Sequence, residues 1–157
     1  MRVGVTGHQS IPPKIVAFIE AGIKQALRDN AADLVGVSSL AAGADQLFSR
    51  IVLRMGGSIH AIIPSADYED AFKDDEAREE YRELLVLAAV IEQLDHNSPS
   101  EEAFLDAGQH VVDRSDRLIA VWDGDDAQGK GGTGDVVRYA RERGIEVIVV
   151  WPEGVKR

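Results

Sequence analysis

Short β-branched runs alternate along this chain with longer segments in which apolar residues recur every three or four positions. That alternation restricts the fold more than any other feature. The runs lie at 2–6 (RVGVT), 33–39 (DLVGVSS), 58–64 (SIHAIIP), 117–123 (RLIAVWD) and 145–151 (IEVIVVW), with a weaker one at 90–94 (VIEQL). Several are apolar at consecutive positions, as at Val147, Ile148, Val149 and Val150, which suits strands covered on both faces. The intervening segments keep a helical period. Ile15, Ile19, Ile23 and Leu27 form one stripe, and Ala44, Phe48, Ile51, Val52 and Met55 a second. Ala77, Tyr81, Leu84 and Ala88 form a third, Phe104, Ala107, Val111 and Val112 a fourth, and Val136, Val137 and Ala140 a fifth.

Helix-end signals agree with these stripes. Pro12-Pro13 opens the first and Gly56-Gly57 closes the second. Ser98-Pro99-Ser100-Glu101 reads as a capping box with Pro at the first helical position. Gly144 suits a left-handed cap after the fifth. A β-α-β-α succession predicts an α/β fold, a parallel sheet with helices on both faces joined by right-handed crossovers. At 157 residues, with no linker or repeat, one domain over 1–157 is expected.

Composition narrows the function classes. Seventeen Lys and Arg stand against 27 Asp and Glu, a net charge of −10. Such a surface repels duplex DNA and anionic lipid. The nearest basic cluster, Arg138, Arg141 and Arg143, is interrupted by Glu142 and offset by Glu146. No nucleic-acid partner and no membrane partner are therefore expected. The absence of cysteine excludes disulfides, thiolate nucleophiles and Cys-ligated zinc. The start MRVGVTGHQ enters a strand pattern at once, without a signal peptide's succession. The apolar run at 84–91 is too short to span a bilayer, so a cytoplasmic protein is the expectation. The acidic stretch 66–83 (ADYEDAFKDDEAREEYRE) lacks any metal-ligand spacing and reads as a solvated helix with an acid-rich first turn; no metal site is expected.

In an open parallel sheet, ligands bind beyond the carboxyl ends of the strands. Three strand-to-helix junctions here are rich in small and polar residues: 6–10 (TGHQS), 38–45 (SSLAAGAD) and 129–135 (GKGGTGD). The stretch Gly124 to Gly131 nearly matches a P-loop, but Gly131 stands where the magnesium-binding hydroxyl residue is required, and Asp125 and Asp126 would face phosphate. The better signal lies immediately downstream. Gly131, Gly132, Thr133 and Gly134 lead directly into a helix, whose first amides point toward an anion, with Thr133 able to cap the helix or donate to phosphate. Gly43 and Asp45 mark a second helix start. Thr6, Gly7 and His8 form a third junction, in which Gly7 permits a tight turn and His8 can hydrogen-bond a polar ligand. These nine residues are the candidate ligand-binding set.

Taken together, VGVTGHQ, SSLAAGADQL, SDRLIAVWDG and GKGGTGDVVRYARERG resemble the SLOG superfamily, which takes in DprA and the LOG enzymes, over residues 2 to about 151. The resemblance implies a Rossmann-like sheet that binds nucleotides or their derivatives. It also implies a strand order of 3-2-1 followed by the 117–123 and 145–151 strands, with the 90–94 strand at the edge beyond the third. A homodimer is compatible with it. LOG enzymes share P-G-G-x-G-T-x-x-E, and neither register of this sequence supplies the glutamate: one puts Val136 there, the other Arg138. Asp135 and Asp123 are the remaining acids for a base–ribose cleavage.

The expected function is binding or sensing of a nucleotide-derived phosphorylated molecule, ADP-ribose-like, without a cofactor. The alternative is a LOG-like nucleoside 5′-monophosphate phosphoribohydrolase, an N-glycosidase, so that enzymatic activity stays open. A DNA-handling role of DprA type is disfavoured by the charge.

Overall fold

The computed structural model describes residues 1–28, 33–125 and 132–156. Among these residues six strands alternate with five α-helices: β1 (Arg2–Gly7), α1 (Val16–Arg28), β2 (Val35–Ser38), α2 (Ala44–Arg54), β3 (Ser58–Ser65), α3 (Asp75–Leu87), β4 (Val90–His96), α4 (Glu101–Asp113), β5 (Arg117–Val121), α5 (Thr133–Glu142) and β6 (Glu146–Val149). Every pairing is parallel, and the order across the sheet is β4-β3-β2-β1-β5-β6. This is the Rossmann-like α/β sheet that the alternation and the resemblance predict, with the weakest run placed as the edge strand beside β3.

Side-chain alternation along the strands assigns the layers. Val3, Val5 and Ile59 face α1, α2 and α3, packing with Ile19, Ile23, Phe48, Ile51 and Leu84. Val37, Ile62 and Leu118 face the other way, against Ala107, Val111, Val136 and Ala140 of α4 and α5. β4 reads weakly in sequence because it is an edge: Val90 and Ile91 stay half-exposed, so the strand lacks the continuous apolar character of its neighbours.

The helix ends refine the sequence reading. Ser100, not Ser98, caps α4: its side chain accepts from the Ala103 amide at 3.0 Å. Pro99 thus precedes the cap instead of opening the helix. The extended Ser100 backbone turns its hydroxyl onto that amide, and Glu101 and Glu102 then fill the first turn, where the helix dipole favours them. Ser100→Ala is expected to lower stability by about 1 kcal/mol, read as a shift in the urea midpoint at unchanged slope. Gly144 takes φ +74° after α5, and the Ile145 amide returns to the Ala140 carbonyl at 3.0 Å, the left-handed cap expected there. β6 is shorter than the 145–151 run because Gly144 and Ile145 are used in this cap, and Trp151 turns its Nε1 onto the Val155 carbonyl at 2.6 Å.

The acidic stretch divides into a 3-10 helix, Tyr68–Ala71, and α3. Asp74 caps α3, Arg50 of α2 binds Glu80 and Glu83, and Arg82 binds Glu69. At the amino ends of the strands a charged cluster crosses the sheet. Arg2 bonds His60 Nδ1 at 2.5 Å and the Arg114 carbonyl at 2.7 Å, His60 Nε2 lies 3.1 Å from Glu92, and Glu92 also binds Arg114. Burial holds the His60 imidazole below its usual value. None of the described helices is long and apolar enough to cross a membrane.

Candidate functional site

The direction of winding reverses at β1, between β2 and β5, which opens a crevice above the carboxyl ends of the strands. The cleft there has a volume of about 540 Å³, within the usual range for small-molecule sites. Seven of the nine candidate residues line it: Thr6, Gly7, His8, Asp45, Gly132, Thr133 and Gly134. Gly131 lies outside the described residues, as does most of the near P-loop.

Gly43 does not line the cleft but joins two of its walls. It caps α2 with φ +80° and ψ −120°, a conformation reserved for glycine. A Cβ at this position would stand 2.5 Å from the Gln9 carbonyl oxygen and 2.6 Å from that of His8. The following amide, Ala44 N–H, donates to the His8 carbonyl at 3.1 Å. The first and second junctions are thus one hydrogen-bonded unit. Just upstream, Leu40 is fully buried at φ +58°, held by the Ser38 hydroxyl, which accepts from its amide at 3.0 Å, and by the Gln46 side chain on its carbonyl. A left-handed leucine is uncommon and concentrates backbone strain beside the cleft.

His8 is buried, and its Nε2 accepts the Asp123 backbone N–H at 3.1 Å. The Asp123 carboxylate lies 3.2 Å from the same nitrogen, and the Trp151 ring stands perpendicular to the imidazole with centroids 5.2 Å apart. The backbone amide and the carboxylate of Asp123 thus converge on the same ring nitrogen. Asp123 therefore sits behind His8. The other acidic candidate, Asp135, is in the first turn of α5 but outside the cleft, paired with Arg138 at 3.0 Å. Among the described residues, the acids that line the cleft are Asp45 and Asp125.

Asp45 is 8% exposed, and one oxygen, Oδ2, accepts from the Ala41 amide at 3.3 Å. Burial pushes its carboxyl up to about 7, because an ionised group is poorly solvated there. Across from the cap, Gly132 begins α5 with no side-chain cap. Thr133 is the first helical residue rather than the cap, so among the described residues no side chain caps the start of α5, whose Gly132, Thr133 and Gly134 line the cleft, where an anion is favoured.

Sequence reasoning missed the apolar wall. Tyr68, Phe104, Ala107 and Gly108 line the cleft as well. Tyr68 packs edge-on against Phe72, Tyr81 and Phe104 at 5.3, 5.4 and 6.1 Å between ring centroids. Its position just after β3 makes a fourth junction, which its acid-rich surroundings concealed.

No protein-family model matches the chain, and a search of curated proteins finds no match either. Solved structures do match. DprA from Streptococcus pneumoniae is 19% identical with a TM-score of 0.70 over 99% of this chain and 52% of that one. DprA from Helicobacter pylori, whose structure describes a single-stranded DNA binding mode, is 18% identical with a TM-score of 0.69, covering 95% and 64%. A molybdenum cofactor binding protein from Rippkaea orientalis is 17% identical with a TM-score of 0.59, covering 94% and 74%. The chain thus spans between half and two thirds of these DprA chains. The resemblance to SLOG proteins holds at the level of fold.

The expectation of no nucleic-acid partner is overturned by this comparison. It rested on the net charge of −10, yet the same fold occurs in a protein with a single-stranded DNA binding mode. Net charge sums over the whole surface and does not set the potential inside a cleft, where helix starts and loop amides supply fixed positive ends.

Proposed function

We propose that the chain binds a nucleotide-derived phosphorylated molecule of ADP-ribose type in the cleft at the carboxyl end of β1. The observation that carries this reading is the uncapped start of α5 opening on the same cleft as the β1–α1 junction and the Tyr68–Phe104 wall. Phosphate belongs at the α5 start, near Gly132, Thr133 and Gly134, with Thr6, Gly7 and His8 opposite. The sugar and base belong toward Asp45 and the aromatic wall. A helix terminus contributes about 0.3 to 2 kcal/mol, whereas micromolar affinity is about −8 kcal/mol, so the junctions must act together. A cytoplasmic setting, where such metabolites are made and consumed, goes with this reading.

Gly132→Val tests it. Gly132 has φ −74° and ψ 171°, open to any residue, so the fold tolerates the change while the isopropyl group enters the cleft. Thermal shifts with nucleoside mono-, di- and triphosphates, ADP-ribose and NAD are expected for the wild type, because a ligand at about a hundred times its Kd adds roughly 2.7 kcal/mol. In Gly132→Val the shifts vanish at an unchanged unliganded melting temperature. Undiminished shifts in the variant would sink this site.

A second reading, a segment of single-stranded DNA in the same cleft, is favoured by the DprA neighbours. Retention of an oligothymidylate at low salt, lost steeply as salt rises and absent in Gly132→Val, would select it over the free metabolite. The N-glycosidase alternative has less support, since Asp123 sits behind His8 and Asp135 outside the cleft. Release of free base from a nucleoside 5′-monophosphate, abolished in Asp123→Asn, would restore it.

A further inference from the structure

We propose that Asp45 acts as a neutral carboxylic acid that donates a hydrogen bond to an uncharged acceptor on the sugar or base of the ligand, making it the residue that recognises the non-phosphate half. The inference rests on the reading of the cleft as a nucleotide site and adds to it the chemistry of the second subsite. Three observations support it. Asp45 lines the cleft although it is more than nine-tenths buried. Its Oδ2 has the Ala41 amide, while Oδ1 meets no donor among the described residues and is not sealed in the core, so it is available to a bound ligand. The surroundings also favour the protonated form.

Those surroundings are specific. Tyr68 lines the same cleft from the segment after β3, and its own value is raised by burial and by Asp45. His8 and Asp125 line the cleft from the first and third junctions. α1, β1 and β2, which pack on α2, contribute aliphatic side chains such as Ile19, Ile23 and Val5 to the core there. Arg50, on α2 itself, is engaged with Glu80 and Glu83. No cation is among the causes that set the Asp45 carboxyl, and burial dominates. A carboxylate in that position would lack both a counter-ion and a donor for Oδ1, and it would repel the ligand's phosphates. A carboxylic acid has a proton to give to a ribose oxygen, a base carbonyl or a ring nitrogen.

ADP-ribose is a suitable probe because its pyrophosphate does not titrate near neutrality. Its Kd, measured by calorimetry from pH 5.5 to 8.5, is expected to be flat below pH 7 and to rise about tenfold per unit above it. Asp45→Asn keeps a donor on an isosteric side chain and is expected to bind with a Kd that stays flat across the range. Asp45→Leu is expected to bind weakly at every pH, with circular dichroism showing both variants folded. A pH-flat wild type, or an Asn variant that keeps the wild-type pH profile and so points to His8, overturns the inference while leaving the nucleotide site standing. Absence of ADP-ribose binding at every pH overturns the inference together with the site reading.

Discussion

A single methyl group added at Gly43 is expected to destabilise the protein by about 3 kcal/mol or more. Two penalties coincide there. The backbone sits at φ +80°, where an L side chain costs roughly 1–2 kcal/mol. The new Cβ would also meet the carbonyl oxygens of Gln9 and His8 at 2.5 and 2.6 Å. These are backbone atoms that cannot rotate aside, so the β1–α1 junction itself must move. That movement pulls on the Ala44-to-His8 hydrogen bond at 3.1 Å and opens the cleft wall. Gly56 provides the internal control: it has φ +85°, and a methyl group there would meet nothing within 4 Å, so Gly56→Ala carries the backbone penalty alone, about 1 kcal/mol. Urea unfolding of the two variants separates the terms. Equal losses would mean that the contact between the two junctions contributes nothing to stability.

Asp45→Asn is expected to stabilise the protein at pH 8 by about 2 to 4 kcal/mol and to leave it unchanged at pH 4. The folded carboxyl titrates at about 7 against 3.8 for the unaffected group. Between those values the folded state holds a proton that the unfolded chain has released. Stability therefore falls as pH rises through that window and is lowest above 7. About three pH units at roughly 1.36 kcal/mol each sets the upper end. Asparagine is never ionised and escapes the loss, while its side-chain oxygen still accepts from Ala41. Thermal melts of both proteins at pH 4, 6 and 8 read this directly: the curves coincide at low pH and separate by several degrees at high pH. Melting temperatures that keep a constant separation at all three would mean that folding does not shift the Asp45 carboxyl. Together with the binding profile, such data would describe an acid whose burial is tolerated for recognition at the expense of stability, a common feature of functional sites.

Much of the fold was legible because a parallel sheet writes itself in two periods. Val147 to Val150 could hardly be anything but strand, and Ile15, Ile19, Ile23 and Leu27 could only share one helical face. β4 was harder, since half-exposed Val90 and Ile91 give an edge strand little apolar continuity. At the α4 start two serines stood two residues apart, and backbone conformation, not composition, chose Ser100. The site was legible only as far as small residues mark junctions. Glycine at 7, 132 and 134 flagged the cleft, but Gly43 turned out to brace it from beneath. Tyr68 reaches it from an acid-rich segment without glycine, and Phe104 from within α4 rather than from one of the three glycine-marked junctions. Leu40 in a left-handed conformation carries no mark in its own residue type, because the neighbouring Ser38 and Gln46 side chains hold its amide and carbonyl. The partner expectation failed for a different reason: a sum of charges was used to judge a local field.

The charged cluster of Arg2, His60, Glu92 and Arg114 has a consequence for how freely the other end of the sheet can vary. Strands without such a clamp can slide past one another by a residue, turning every side chain to the wrong layer. Here β1, β3, β4 and the end of α4 are pinned at the foot by directional bonds, so a slip of β1, β3 or β4 breaks bonds of the cluster. Alignment is secured away from the cleft, which leaves the loops at the top free to be rebuilt. The scaffold behaves as a chuck that grips the strands at one end while the tool at the other is exchanged.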